Sequence, residues 1–301
     1  MIRDAADSAE VVAENHVADS GARAGRPIGV FDSGVGGLTV ASALMRRLPD
    51  ESVLYLGDTA RLPYGTKSAA TVERYTRRNI DFLVRRGVKA VVVACNTASA
   101  VISDELDLPV PVWGVIDPGA DAALAAEPDG PIGILATEST IRSGAYARAI
   151  ETRRPGTEVI GRACPLFVPL VEEGWVDDPV AQMVAERYLR PVLDAGCRTL
   201  VMGCTHYPLL ENVLRRVAGP EVSWVDSAST VAERVAQGLK AAGLEHPGRA
   251  AGAGPAHHLC ATDVSERFET LARRLLSHYG DRSVDGEAPG VETLSLEWVE
   301  V

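Results

Sequence analysis

The first clear hydrophobic block, Ile28-Gly29-Val30-Phe31, stops at Asp32-Ser33-Gly34-Val35-Gly36-Gly37. A short apolar run bounded by turn residues predicts a buried strand, and Leu38–Leu44 behind it predicts a helix. A second strand, Ser52–Asp58, leads through a loop at Arg61-Leu62-Pro63-Tyr64-Gly65 into a helix over about 69 to 86. In that helix Val72, Tyr75, Ile80, Leu83 and Val84 fall near one face, and Gly87 supplies the stop. The apolar runs Val91–Cys95 and Val112–Ile116 follow. Strands alternating with helices predict an α/β fold with a mostly parallel sheet covered on both faces.

The pattern restarts near Pro131. Ile132–Thr137 repeats the strand-to-polar-turn transition of Phe31-Asp32-Ser33, and a helix over about 178 to 195 runs through Gly196 into Leu200-Val201-Met202-Gly203-Cys204-Thr205-His206. That segment matches Val91-Val92-Val93-Ala94-Cys95-Asn96-Thr97: each is an apolar run ending in a cysteine followed by small polar residues. Asp117 follows Cys95 at the separation by which Asp226 follows Cys204, and each aspartate closes another apolar run. The chain therefore reads as two related halves, each offering one thiol at the end of a strand. After Asp226 come a helix over about 228 to 241, a Gly/Ala/Pro loop at 247 to 256, a strand at 258 to 262 and a helix over about 264 to 278. Residues 1–26, rich in Ala, Asp, Glu and Gly, read as a flexible or weakly helical extension, and 281–301 as a loop-like tail with a late strand near Leu294–Val299.

Composition narrows the class. At 301 residues, 46% hydrophobic and 24% charged, the chain has the balance of a soluble globular protein with a sizeable core. No apolar stretch approaches the roughly 20 residues a membrane helix needs, and the first residues lack a secretory pattern. A net charge of −11 argues against a nucleic-acid surface, and Arg153-Arg154 and Arg273-Arg274 read as solvated helix faces. Five scattered cysteines without a CxxC pair fit a reducing cytoplasm and form neither a disulfide framework nor a zinc site. Cys164, Cys197 and Cys260 read as apolar filler.

Ligands of open parallel sheets bind beyond the carboxyl ends of the strands. Asp32-Ser33, Asp58, Cys95-Asn96-Thr97, Asp117, Thr137 and Cys204-Thr205-His206 all fall at such ends. Each cysteine precedes a helix start, where free N–H groups favour a thiolate and, with Ser33, Asn96, Thr97 and Thr205, can hold a carboxylate. Gly34–Gly37 lacks the GxGxxG spacing; it reads as a tight turn approaching a small anion or, less simply, as a phosphate loop. Asp117 and Asp226 are candidate helix caps. His206 is either a proton-handling group or a core histidine satisfied by backbone.

At these residues the chain resembles glutamate racemase, of the cofactor-independent aspartate/glutamate racemase superfamily. The matching stretches are GVFDSGVGGLTV (29–40), YLGDTARLPYG (55–65), VVVACNTAS (91–99), CPLFVPLVEEG (164–174) and VMGCTHYPLL (201–210). The resemblance implies two pseudo-symmetric α/β domains with the active site in the cleft between them. The first would be discontinuous, 27–117 plus 227–280, and the second would be 118–226. It implies that Cys95 exchanges the proton of D-glutamate and Cys204 that of L-glutamate. Asp32, with Asp58 nearby, would assist Cys95, while Glu172 and His206 would assist Cys204. Asp32, Ser33, Tyr64, Gly65, Asn96, Thr97, Thr205 and His206 would bind the substrate. No metal and no cofactor are implied, D-glutamate would serve peptidoglycan synthesis, and the expected assembly is a homodimer.

Three alternatives stay open on sequence alone. One is a superfamily relative acting on another small dicarboxylate such as aspartate. Another is a binding protein that keeps the fold without turnover, which the presence of both cysteines disfavours. A third is a thiol redox protein, disfavoured by the missing CxxC.

Overall fold

The computed structural model describes residues 23–102, 108–127, 129–249, 254–264, 266–280 and 295–301. The extension expected over 1–26 therefore lies outside the described residues up to residue 22, as do residues 250–253 of the expected loop and 281–294 of the expected tail. Residues 23–26 rest on the body of the protein. Ala24 is buried, and its carbonyl accepts from the buried Lys89 Nζ, which also pairs with Glu51.

Ten strands among the described residues form two parallel sheets. They are β1 Ile28–Asp32, β2 Val53–Gly57, β3 Ala90–Val93, β4 Val112–Gly114, β5 Ile132–Ala136, β6 Val159–Ala163, β7 Thr199–Gly203, β8 Ser223–Asp226, β9 His258–Ala261 and β10 Ser295–Trp298. The first sheet has the order β10-β9-β2-β1-β3-β4 and the second β6-β5-β7-β8. The run 2-1-3-4 of the first sheet is thus repeated as 6-5-7-8 in the second. The late strand expected near 294–299 forms as β10, and it extends the first sheet beside β9, with Ser295 opposite His258.

Helices cover both faces of each sheet, as near-continuous Val/Ile/Leu strands require. Along β3, Val92 faces one core with Val30, while Val91 and Val93 face the other with Phe31 and Leu56. The first of these cores is closed by α1 (Leu38–Arg47), the second by α2 (Ala69–Arg85). Ser68 caps α2 by accepting from Thr71 N, and Gly87 ends its run at φ +79°. Burying each of Val72, Ile80 and Leu83 on the apolar face of α2 contributes roughly 1.5–3 kcal/mol. In the second sheet Leu200 and Met202 face α8 (Pro179–Asp194), while Val201 faces α4 (Ile116–Ala126) and α6 (Ala145–Arg153).

The connections between the sheets exchange their cover. Helix α4 follows β4 of the first sheet but packs on β7 and β8 of the second. Helix α10 (Ser227–Ala241) follows β8 of the second sheet but packs along α1, and it also packs against α4. Asp226 caps α10 by accepting from Ala228 N and Ser229 N, as expected of a helix cap. Asp117 does not cap its helix. The chain turns into α4 before it, so Asp117 sits in the first turn and pairs with Arg153.

Candidate active site

In both sheets the order reverses between the first strand and the third, and ligands of such sheets gather at that reversal. In the first sheet it separates β1 from β3, so Asp32-Ser33 and Cys95 stand side by side. In the second it separates β5 from β7, which brings Thr137 beside Cys204. The two reversals open onto one cavity of about 250 Å³. Its lining includes Ser33, Tyr64, Gly65, Cys95, Asn96 and Thr97 from one half, and Thr137, Glu172, Cys204, Thr205 and His206 from the other. Among the described residues no Lys or Arg lines it, and Glu138 and Glu172 do, so a bound anion would rely on the hydroxyls and the imidazole.

Cys95 donates to Ser33 Oγ at 3.4 Å. Burial pushes its thiol up to about 12, with the neighbouring Asp32 carboxylate adding to the rise and the Ser33 contact opposing it. The helix behind it, α3 (Asn96–Ser99), is a single turn, and its backbone contact at Ala98 does not offset that burial. At Cys95 burial outweighs the helix start, so the thiol is favoured over the expected thiolate.

Cys204 has different company. Its Sγ lies 4.0 Å from His206 Nδ1, and His206 Nε2 lies 3.4 Å from Glu172 Oε1, close enough for charge pairing though not aligned as a hydrogen bond. Burial works against the imidazolium, but Cys204, Glu172 and the charge of Asp32 together outweigh it and raise His206 to about 10. These neighbours favour the charged imidazolium at His206.

Asp32 joins the halves. Its Oδ2 accepts from Gly34 N at 2.9 Å and its Oδ1 from Thr205 Oγ1 at 3.3 Å. Burial raises its carboxyl above the ordinary value, against the pull of the His206 charge and of these donors. The glycine turn makes this approach possible, because a Cβ on Gly36 would collide with Thr205 Oγ1 and the His206 ring. The close approach the structure shows at this turn is to Thr205 and His206 of the other half.

Asn96 is occupied by partners. Its Oδ1 accepts from Tyr146 Oη at 2.7 Å, and its Nδ2 donates to Ser227 Oγ at 3.2 Å. The hydroxyls of Thr97, Thr137 and Thr140 lie within 3.1 Å of one another. Asp58 is buried and does not line the cavity; it accepts from the Tyr64 phenol behind the wall. The sequence pattern missed Thr140, Tyr146 and Ser227. Only Ser227 carried a signal, as the neighbour of the repeated aspartate at 226.

The fold is thus an α/β pair with a duplicated strand order and a cysteine at each reversal, both opening on one cavity. Residues 38–235 match the family model Asp/Glu/Hydantoin racemase. A glutamate racemase of Syntrophus aciditrophicus is 49% identical over 272 residues, which is 90% of this chain and 97% of that protein. The crystal structure of glutamate racemase from Thermus thermophilus, in complex with beta-chloro-D-alanine, superposes with a TM-score of 0.77 at 44% identity, covering 92% of this chain and 98% of that one. That of Francisella tularensis, in complex with D-glutamate, gives 0.81 at 32% identity, covering 92% and 98%. The chain belongs to the Asp/Glu/hydantoin racemases and, within them, to the glutamate racemases.

Proposed function

We propose that the protein interconverts L- and D-glutamate by a two-thiol mechanism without a cofactor. The observation that carries this reading is the placement of Cys95 and Cys204 at equivalent strand ends of the two halves, both lining one cavity. Starting from L-glutamate, the Cys204 sulfur as thiolate takes the α-proton, and the Cys95 thiol delivers its own proton to the opposite face. Cys204 ends as thiol and Cys95 as thiolate, and the reverse reaction starts from that state. His206, charged beside Cys204 and backed by Glu172, supplies a counter-charge on one side. Asp32 and Ser33 flank Cys95 on the other. Preorganised hydroxyls and N–H groups stabilise the charge that develops on the substrate carboxylate as the α-proton leaves.

Its product would feed peptidoglycan synthesis. Two findings fit the cytoplasmic setting we propose: all five cysteines are free, and among the described residues no helix is long and apolar enough to cross a membrane. The first domain would be 27–117 plus 227–280 and the second 118–226, in a homodimeric assembly.

The test is proton traffic in D₂O. At low conversion from L-glutamate, product D-glutamate carries deuterium at the α-carbon while remaining L-glutamate carries almost none, and the reverse run mirrors this. Product that retains protium, or substrate that washes out as fast as product forms, would refute two-thiol transfer. NMR or mass spectrometry reads either outcome.

A further inference from the structure

One wall of the cavity, Leu62 to Thr66, is held from behind by a polar network that the chemistry above does not use. Its hub is the buried Asp58 carboxylate. Oδ2 accepts from Tyr64 Oη at 2.5 Å and from Asn79 Nδ2 at 3.3 Å. Oδ1 accepts from Arg61 Nη1 at 2.8 Å and from Thr262 Oγ1 at 3.0 Å. The other arm of Arg61, Nη2, donates to the Val301 carbonyl oxygen at 2.5 Å, and Asn79 Nδ2 also donates to Tyr75 O at 2.8 Å.

Three stretches distant in sequence meet at this point. The turn after β9 reaches the loop through Thr59, whose hydroxyl donates to Asp263 O and accepts from Asp263 N. The stretch after β10 arrives through Val299 N, which donates to Ala261 O, and then through Val301. A buried carboxylate with four donors is stable only while they stay in place, and removing one leaves charge undercompensated. The wall has little slack on its other side, since a Cβ on Gly65 would fall 2.8 Å from Thr137 Cβ in the opposite half.

We propose that Arg61, Asn79 and Thr262 are positioning residues, and that 299–301 acts through Arg61, so that together they clamp the Tyr64–Gly65 wall and set substrate affinity. Asp58 is then the anchor of the clamp and carries no proton in the reaction. The kinetic part rests on the racemase reading.

Arg61→Gln and Thr262→Val in the full chain test it, by kinetics with both glutamate enantiomers and by amide hydrogen exchange over 59–66. The expected result is KM raised about tenfold for both enantiomers with kcat held within about threefold, because a wall loosened in ground and transition states alike costs uniform binding. Exchange over 59–66 should rise by about tenfold or more without substrate present. Arg61→Lys, which keeps the charge but not the two-armed fork, should fall between. Should Arg61→Gln not fold, Thr262→Val carries both readouts. Unchanged exchange and KM beside a lowered melting temperature, or a collapse of kcat at unchanged KM, would overturn the clamp. A parent chain that does not racemise glutamate would defeat the functional reading alone, and the exchange measurement would still decide the clamp.

Discussion

The two halves share a strand order and differ in what surrounds each thiol. Cys95 has a hydroxyl and a buried carboxyl for neighbours, and burial keeps its proton on. Cys204 has a charged imidazole backed by a glutamate. Duplication of the β-strand pattern provides the geometry, with two sulfurs lining one cavity. Divergence at the residues next to the strand ends provides the asymmetry, with one sulfur protonated and the other beside positive charge. A symmetric pair would lack this bias, which the two-thiol mechanism we propose requires.

The most direct way to break the comparison is to remove one member. Cys95→Ala and Cys204→Ala should each lower racemisation by more than about 10³-fold in both directions, with circular dichroism unchanged. Near-normal turnover in either variant would mean that one thiol suffices.

Next in size is removal of the asymmetry itself. Loss of an acid–base partner costs on the order of 10² to 10⁴ in rate. His206→Asn and Asp32→Asn should lower kcat unequally and in opposite senses for the two directions, as rates at saturating L- and D-glutamate would show, while kcat/KM stays equal because the enantiomers are equally stable. Equal losses in both directions would mean that Asp32, which bonds Thr205, serves the cleft as a whole and not Cys95.

Gly36→Ala probes the contact between the halves. The added Cβ must push Thr205 and the His206 ring away, and displacement of reacting groups by about 1 Å costs up to about 10²-fold. We expect a loss of about tenfold in kcat with the fold retained. Unaltered kcat would show that the two halves tolerate a wider gap.

The smallest effect is on stability. His206 is raised from its ordinary 6.5 to about 10, so the folded state holds its proton more tightly than the unfolded chain does. That contribution is complete below pH 6.5 and is lost as pH rises through about 10. Melting temperature should therefore fall by a few degrees over this interval, and the His206→Asn variant should lose most of that slope. An identical slope in both proteins would place the titration elsewhere.

Much of this was legible in the chain itself, for a physical reason. Strands buried on both faces must be continuous hydrophobic runs, so β1, β3, β5 and β7 announce themselves, and their polar ends mark the cleft. Strand β6, Val-Ile-Gly-Arg-Ala, lies at a sheet edge and is only partly buried, so its sequence pattern is weak. Helices α4 and α6 are rich in Ala with few bulky apolar side chains, so their faces show little contrast in the sequence. Asp117 looked like Asp226 at the same spacing, yet β4 is short and the chain is already helical at 116. Partners such as Tyr146 and Thr140 arrive by tertiary contact, which no local pattern encodes.

The exchange of helical cover between the sheets has a consequence for the order of assembly. One face of the first sheet is built from Ile28, Val30 and Val92 early in the chain, but Val231, Val235, Leu239, Leu259 and Leu275 close it. Everything from β5 to β8 is synthesised in between. As the chain leaves the ribosome, that face has α1 for cover but lacks its later residues until the second sheet has emerged. Closing so long a loop costs only about 0.6 kcal/mol more for each doubling of its length, so the delay is a matter of time more than of stability. The arrival of α10 ends that interval by packing along α1 and against α4, which completes the first core and ties the two sheets together in one step.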